Sequence, residues 1–127
     1  LLNVSRIDHG VRSIEDPDLL DYLTDKQIPL TVCPLSNVEL NVFDSMTEHN
    51  LKELLNRSIC VTINSDDPAY FGGYVAENYQ AAHSALDLTN QELYQIAKNS
   101  FQASFLPAEA KFKLIAELED YFDAHRC

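Results

Sequence analysis

The sequence predicts an α/β fold, the C-terminal portion of a TIM-type (β/α)8 barrel: three parallel strands with their helices and a helical C-terminal tail. Three observations carry that reading. Short apolar, β-branched-rich runs alternate with helical patterns in the order β-α-β-α-β, the order of a parallel sheet. The runs end near positions 8, 33 and 64, a spacing of 25 to 31 residues, and a barrel of about 250 residues averages about 31 per unit. Each run also ends in polar residues, as strands do where they deliver groups to a ligand-binding face. Three strands cannot close a barrel, so the 127 residues are expected to be a single partial domain. A start at Leu-Leu-Asn-Val-Ser-Arg, without an initiator Met, agrees with that expectation.

The first strand is expected over residues 4–8, Val-Ser-Arg-Ile-Asp, running into His9-Gly10. Asp16 then offers an N-cap and Pro17 a first helical residue, with Leu19, Leu20 and Leu23 as the apolar face and Pro29 beyond the end. Residues 30–33, Leu-Thr-Val-Cys, form a second buried strand, closed by Pro34. Ser36-Asn37 after a proline reads as a turn, and Val38 to Thr47 has no legible conformation. Leu51, Leu54 and Leu55 mark a short amphipathic helix, and residues 59–64 a third strand.

From about residue 74 to 125 the pattern is helical. Val75 to Leu86 is one helix. Thr89-Asn90-Gln91-Glu92 is a capping box opening a second, with Leu93, Ile96, Ala97, Phe101 and Phe105 on one face. Pro107 opens a third, with Leu114, Ile115, Leu118, Tyr121 and Phe122 as its stripe. Stripes at this spacing are packing faces.

Composition excludes several classes. A net charge of −11 disfavours nucleic acid and anionic membrane, both of which need basic patches. No apolar run approaches the roughly 20 residues of a membrane span, and the N-terminus lacks the pattern of a signal peptide. Cys33 and Cys60 lie in apolar runs and Cys127 at the terminus, which predicts free thiols in a reducing compartment, the cytoplasm. No Walker loop, Gly-x-Gly-x-x-Gly or Gly-x-Ser-x-Gly elbow is present.

Chemistry concentrates at the strand ends. The first brings Asp8 and His9, the second Ser36 and Asn37, the third Ser65, Asp66 and Asp67. Taken singly, Asp66-Asp67-Pro68 also reads as an ordinary turn. If the strands are parallel neighbours, however, all these groups converge on one face. One histidine and two carboxylates could bind a divalent metal and activate water, although a secure zinc site takes at least three protein ligands. Glu48 and His49 precede a helix and read as a cap or a solvent-facing pair. His83 and His125 have no partner at ligand spacing.

Arg6-Ile7-Asp8-His9-Gly10-Val11, Val32-Cys33-Pro34-Leu35-Ser36-Asn37 and Asn64-Ser65-Asp66-Asp67-Pro68 together resemble the last three strand motifs of the adenosine and adenine deaminase family, zinc-dependent amidohydrolase-type barrels. Asp8 before His9, and Ala69-Tyr70-Phe71-Gly72-Gly73-Tyr74 after the acidic pair, are closer to the adenine branch. The resemblance implies that Asp66 is a zinc ligand, that Asp67 contacts N7 of the purine, and that His9 is the catalytic histidine that orients and stabilises the attacking hydroxide. Asp8, Ser36, Asn37 and Ser65 would be supporting residues. The implied reaction is hydrolysis of the 6-amino group of adenine to hypoxanthine and ammonia, with a purine base or nucleoside as substrate.

The family's His-x-His, its third zinc-binding histidine and its proton-donating glutamate belong to upstream strands that this sequence lacks. The upstream barrel portion is therefore the expected partner, and the isolated polypeptide is expected neither to hold zinc tightly nor to deaminate purines. Adenosine or a modified adenine nucleoside is the alternative substrate. A non-catalytic barrel fragment that only packs with another chain is the alternative of a different class. A flavodoxin-like signalling domain would need further strands and an acidic pocket near the first strand, and neither is found.

Overall fold

A computed structural model describes residues 2–126, so the expectation of a free thiol at Cys127 lies outside the described residues. Three strands, β1 (Ile7–Asp8), β2 (Leu30–Val32) and β3 (Val61–Ile63), form one parallel sheet in the order β1-β2-β3. Ile7 lies opposite Leu30, and Leu30 opposite Val61, so the three strands start at the same level and finish within one residue of one another. That shared register is what gathers their C-terminal residues.

Among the described residues seven α-helices accompany the sheet: α1 (Pro17–Lys26), α2 (Pro34–Glu39), α3 (Leu51–Asn56), α4 (Pro68–Phe71), α5 (Val75–Leu86), α6 (Asn90–Ala103) and α7 (Ala108–Ala124). The starts of α1 and α6 follow from their sequences. Asp16 accepts from Leu19 N ahead of Pro17, and Thr89 and Glu92 make both bonds of a capping box. Leu20 and Leu23 from α1, Leu51 and Leu54 from α3 and Ile96 from α6 close on β2 and β3 to form the core. Each such side chain, fully removed from water, contributes about 2 kcal/mol. β3, although at an edge of the three-stranded sheet, is buried on both faces, as a parallel strand covered by helices should be. Asn99 of α6 ties to it by donating to Val61 O at 2.9 Å. No helix among the described residues is long and apolar enough to cross a membrane.

Several expectations need correction. The strands are shorter than residues 4–8, 30–33 and 59–64. Val4 is exposed, and among the described residues no strand pairs with the outer edge of β1 to extend it. Ser36-Asn37 is not a turn but the middle of α2, and the acidic turn continues into α4. Phe105 is not on the buried face of α6. It lies beyond the helix end, exposed, beneath the Arg6 guanidinium at 4.1 Å. Helix α7 packs on α6, with Phe122 stacked on Tyr94 at 4.6 Å, but none of its residues is fully buried.

Candidate active site

At the C-terminal ends of the three strands lies a cleft of about 430 Å³, lined by Arg6, Asp8, His9, Thr31, Cys33, Asn64, Ser65, Asp66 and Val75. The main chain sets its floor. His9 N donates to Thr31 O at 2.9 Å and Asn64 N to Val32 O at 2.8 Å, so each strand stays bonded to its neighbour for one residue past its end. The chain then turns sharply. His9 and Asp66 both adopt left-handed backbone, φ 56° in each, conformations that cost L-residues energy and that His and Asp tolerate better than most. The reversal aims both side chains into the cleft, and Nε2 of His9 reaches within 3.6 Å of Asp66 Oδ2.

Two residues of α2 stand behind this pair. Ser36, fully buried, donates from Oγ to Asp66 Oδ2 at 2.8 Å. Asn37, also buried, has its Nδ2 at 3.2 Å from His9 Nδ1. Helix α2 is only six residues long and is held from outside, because Leu35 N donates to the buried amide oxygen of Asn78 in α5. Asp8 is fixed by Thr31, whose Oγ1 donates to its Oδ1 at 2.9 Å. Ser65 lines the cleft without a role in this network.

Asp67 is placed differently. It is exposed and is not among the residues lining the cleft, and its Oδ1 caps α4 by accepting from Tyr70 N at 3.1 Å. A carboxylate has a second oxygen to offer a ligand.

His9, Cys33 and Asp66 offer ligand atoms that all lie within 4.8 Å of one another. Burial first, then the charge of Asp66, push the Cys33 thiol up to about 11, so it faces the cleft as a neutral thiol, a poor ligand. Asp66 is the better donor: an exposed carboxylate already oriented by Ser36, the outer-sphere arrangement that metal ligands use. The donor set thus fits a divalent cation of the zinc type, and supplies part of its shell.

Two features of the site carry no signal in the sequence, the place of Cys33 beside His9 and Asp66 and the burial of His49. Cys33 directly follows β2, and its thiol lies within 4.8 Å of ligand atoms of His9 and Asp66. His49 caps the start of α3, one of the two roles expected for it, but it is buried and not solvent-facing. Its Nδ1 accepts from Leu51 N at 3.1 Å at the start of α3, and its Nε2 lies 3.0 Å from Asn37 Oδ1. No local pattern separates it from an ordinary surface histidine before a helix.

A parallel sheet with a polar cleft at its strand ends is the architecture of an amidohydrolase-type barrel. The family described as Adenosine deaminase matches residues 1–121, and the chain belongs to that family. The adenine deaminase of Hahella chejuensis is 58% identical over 125 residues, covering 98% of this chain and 37% of that protein. The crystal structure of adenine deaminase from Arthrobacter aurescens superposes with a TM-score of 0.93 at 43% identity, over 96% of this chain and 37% of that one. An amidohydrolase from Burkholderia ambifaria with bound Zn shares the fold, with a TM-score of 0.87 at 23% identity over 97% of this chain and 35% of that one. The chain therefore spans little more than a third of the length of the proteins it matches, and its fold corresponds to the C-terminal part of the adenine deaminase barrel.

Proposed function

We propose that this chain is the C-terminal part of a zinc-dependent adenine deaminase, hydrolysing the 6-amino group of adenine to hypoxanthine and ammonia. The observation that carries the reading is the His9–Asp66 pair, brought to 3.6 Å at the ends of β1 and β3 and backed by Ser36 and Asn37. Identity of 58% to a protein named adenine deaminase supports the choice of substrate.

In this reading Asp66 is a zinc ligand, with the remaining ligands and the general acid supplied by upstream strands. When bound, zinc lowers the pKa of a coordinated water towards about 7. Ser36 holds the Asp66 carboxylate in place through Oδ2. His9 directs Nε2 at the reacting water, orienting it for attack at C6 and stabilising the charge that develops. Asp67 accepts a hydrogen bond from N7–H of adenine with the oxygen that does not cap α4. Free adenine has a tautomer with that proton and adenosine has none, so a carboxylate here favours the base over the nucleoside. Asp8 and Ser65 shape the cleft wall. The buried thiols Cys33 and Cys60 fit a reducing compartment, the cytoplasm.

The test is a substrate panel on the full-length protein, following release of the 6-amine: ammonia from adenine and adenosine, methylamine from N6-methyladenosine. Adenine should be turned over fastest. No release from adenine, or faster release from a nucleoside, would overturn the assignment.

A further inference from the structure

His49 is 4% exposed, and nothing in the chemistry above requires it. It nevertheless begins a sequence of hydrogen bonds in which each link dictates the next. The backbone N–H of Leu51 can only donate, and it donates to His49 Nδ1 at 3.1 Å. Burial pulls the imidazole down to about 4, so at neutral pH it carries a single ring proton, which must sit on Nε2. That nitrogen is 3.0 Å from Asn37 Oδ1, which therefore accepts and fixes the orientation of the amide. Asn37 Nδ2 is then the atom facing His9, and it donates to Nδ1 at 3.2 Å. With Nδ1 accepting, a neutral His9 holds its proton on Nε2, the nitrogen 3.6 Å from Asp66 Oδ2.

We propose that His49 is a positioning residue that acts through Asn37 to fix His9 as its Nε2–H tautomer, presenting a hydrogen-bond donor to the cleft. Beyond the geometry, the relay has a built shell. The Phe43 ring lies 4.4 Å from the His49 ring, centroid to centroid, and the backbone N–H groups of Val42 and Phe43 both donate to Asn37 O. Asn37 itself is 2% exposed, so water does not compete for its amide. The segment between α2 and α3, featureless as sequence, is what closes this shell. The functional consequence rests on His9 serving the reaction proposed above. A donor at Nε2 can orient a reacting oxygen and stabilise negative charge on it, whereas a lone pair at that nitrogen would repel the charge.

The experiment is a long-range proton–nitrogen correlation spectrum of the full-length protein with ¹⁵N-labelled histidine, which reads the tautomer of each ring directly. Wild type should show both His9 and His49 protonated at Nε2. Asn37→Asp is isosteric but accepts at both oxygens, so it should switch His9 to the Nδ1–H form while His49 stays unchanged. His49→Gln keeps an amide donor near the Nε2 position and should preserve the His9 tautomer, whereas His49→Leu frees the Asn37 amide and should leave His9 mixed. In adenine turnover, Asn37→Asp and His49→Leu should lose roughly 10- to 100-fold in kcat, the loss expected for an outer-sphere orienting partner. KM should move much less, and His49→Gln should restore most of the rate. A residue that merely caps α3 would leave the His9 tautomer the same in wild type, His49→Gln and His49→Leu. His9 protonated at Nδ1 in wild type, or unmoved by Asn37→Asp, would overturn the proposal. The spectra are independent of substrate. The expected tautomers in a protein that ignores adenine would uphold the relay and overturn only the assigned reaction.

Discussion

His9 Nε2 faces Asp66 Oδ2 across 3.6 Å, and the two residues reach that position through the same backbone device, a left-handed residue just past the end of a parallel strand. The device works because β1 and β3 lie in one register on either side of β2, with Ile7 and Val61 both opposite Leu30. The two side chains belong to strands that do not touch, and they meet over the end of the strand between.

Ser36 should govern metal affinity. Its hydroxyl donates to the oxygen of Asp66 that faces His9, from a fully buried position. Ser36→Ala in the full-length protein should weaken zinc binding roughly 10- to 100-fold while costing only about 1 kcal/mol of stability. Competition with a chelator of known affinity measures the first and chemical denaturation the second. An unchanged zinc affinity would remove Ser36 from the site.

Asp67 performs two tasks that one substitution separates. Asparagine caps a helix about as well as aspartate, so Asp67→Asn should leave the stability nearly unchanged. Its single carbonyl oxygen would remain engaged with Tyr70 N, leaving the NH₂ group towards the ligand. A donor there cannot accept from N7–H, and adenine turnover should fall roughly 100-fold, the scale of losing a charged hydrogen bond and leaving a group unpaired. A rate near wild type would show that Asp67 only caps α4.

His49 should make stability depend on pH. Its pKa is lowered by burial from the ordinary 6.5 to about 4 in the folded protein. Between those values the unfolded chain binds the proton and the folded one does not, so stability is intact above pH 6.5 and declines as pH falls towards 4. The full loss is about 3 kcal/mol at the low end. Melting temperatures of wild type and His49→Gln across pH 4 to 7 isolate it, because the variant should lack this part of the slope. Parallel profiles would contradict the assigned burial effect.

What was legible in the sequence is what local rules decide. Leu30-Thr31-Val32 and Val61-Thr62-Ile63 are apolar runs that only a buried strand accommodates, and the caps at Asp16 and Thr89 are local chemistry. The three strand-end motifs placed His9, Ser36, Asn37 and Asp66 on one face, and the structure brings these four together. The rest is decided at a distance. Helix α2 reads as a turn because its support, the Asn78 side chain, lies more than forty positions along the chain. Val4 has strand propensity but no described neighbour to pair with. Stripe periodicity in α7 marks a face without saying what covers it, and Tyr121 on that face remains exposed. The cap role of His49 was legible but its burial was not, because that depends on the Phe43 segment, whose path no local signal sets.

The most direct test is the zinc content of the full-length protein and of its Asp66→Ala variant, measured together with ammonia release from adenine. Wild type should hold about one zinc per chain and deaminate adenine, and Asp66→Ala should lose both while keeping the fold. An Asp66→Ala protein that retains its zinc and its rate would contradict the claim that this strand end is a corner of the metal site.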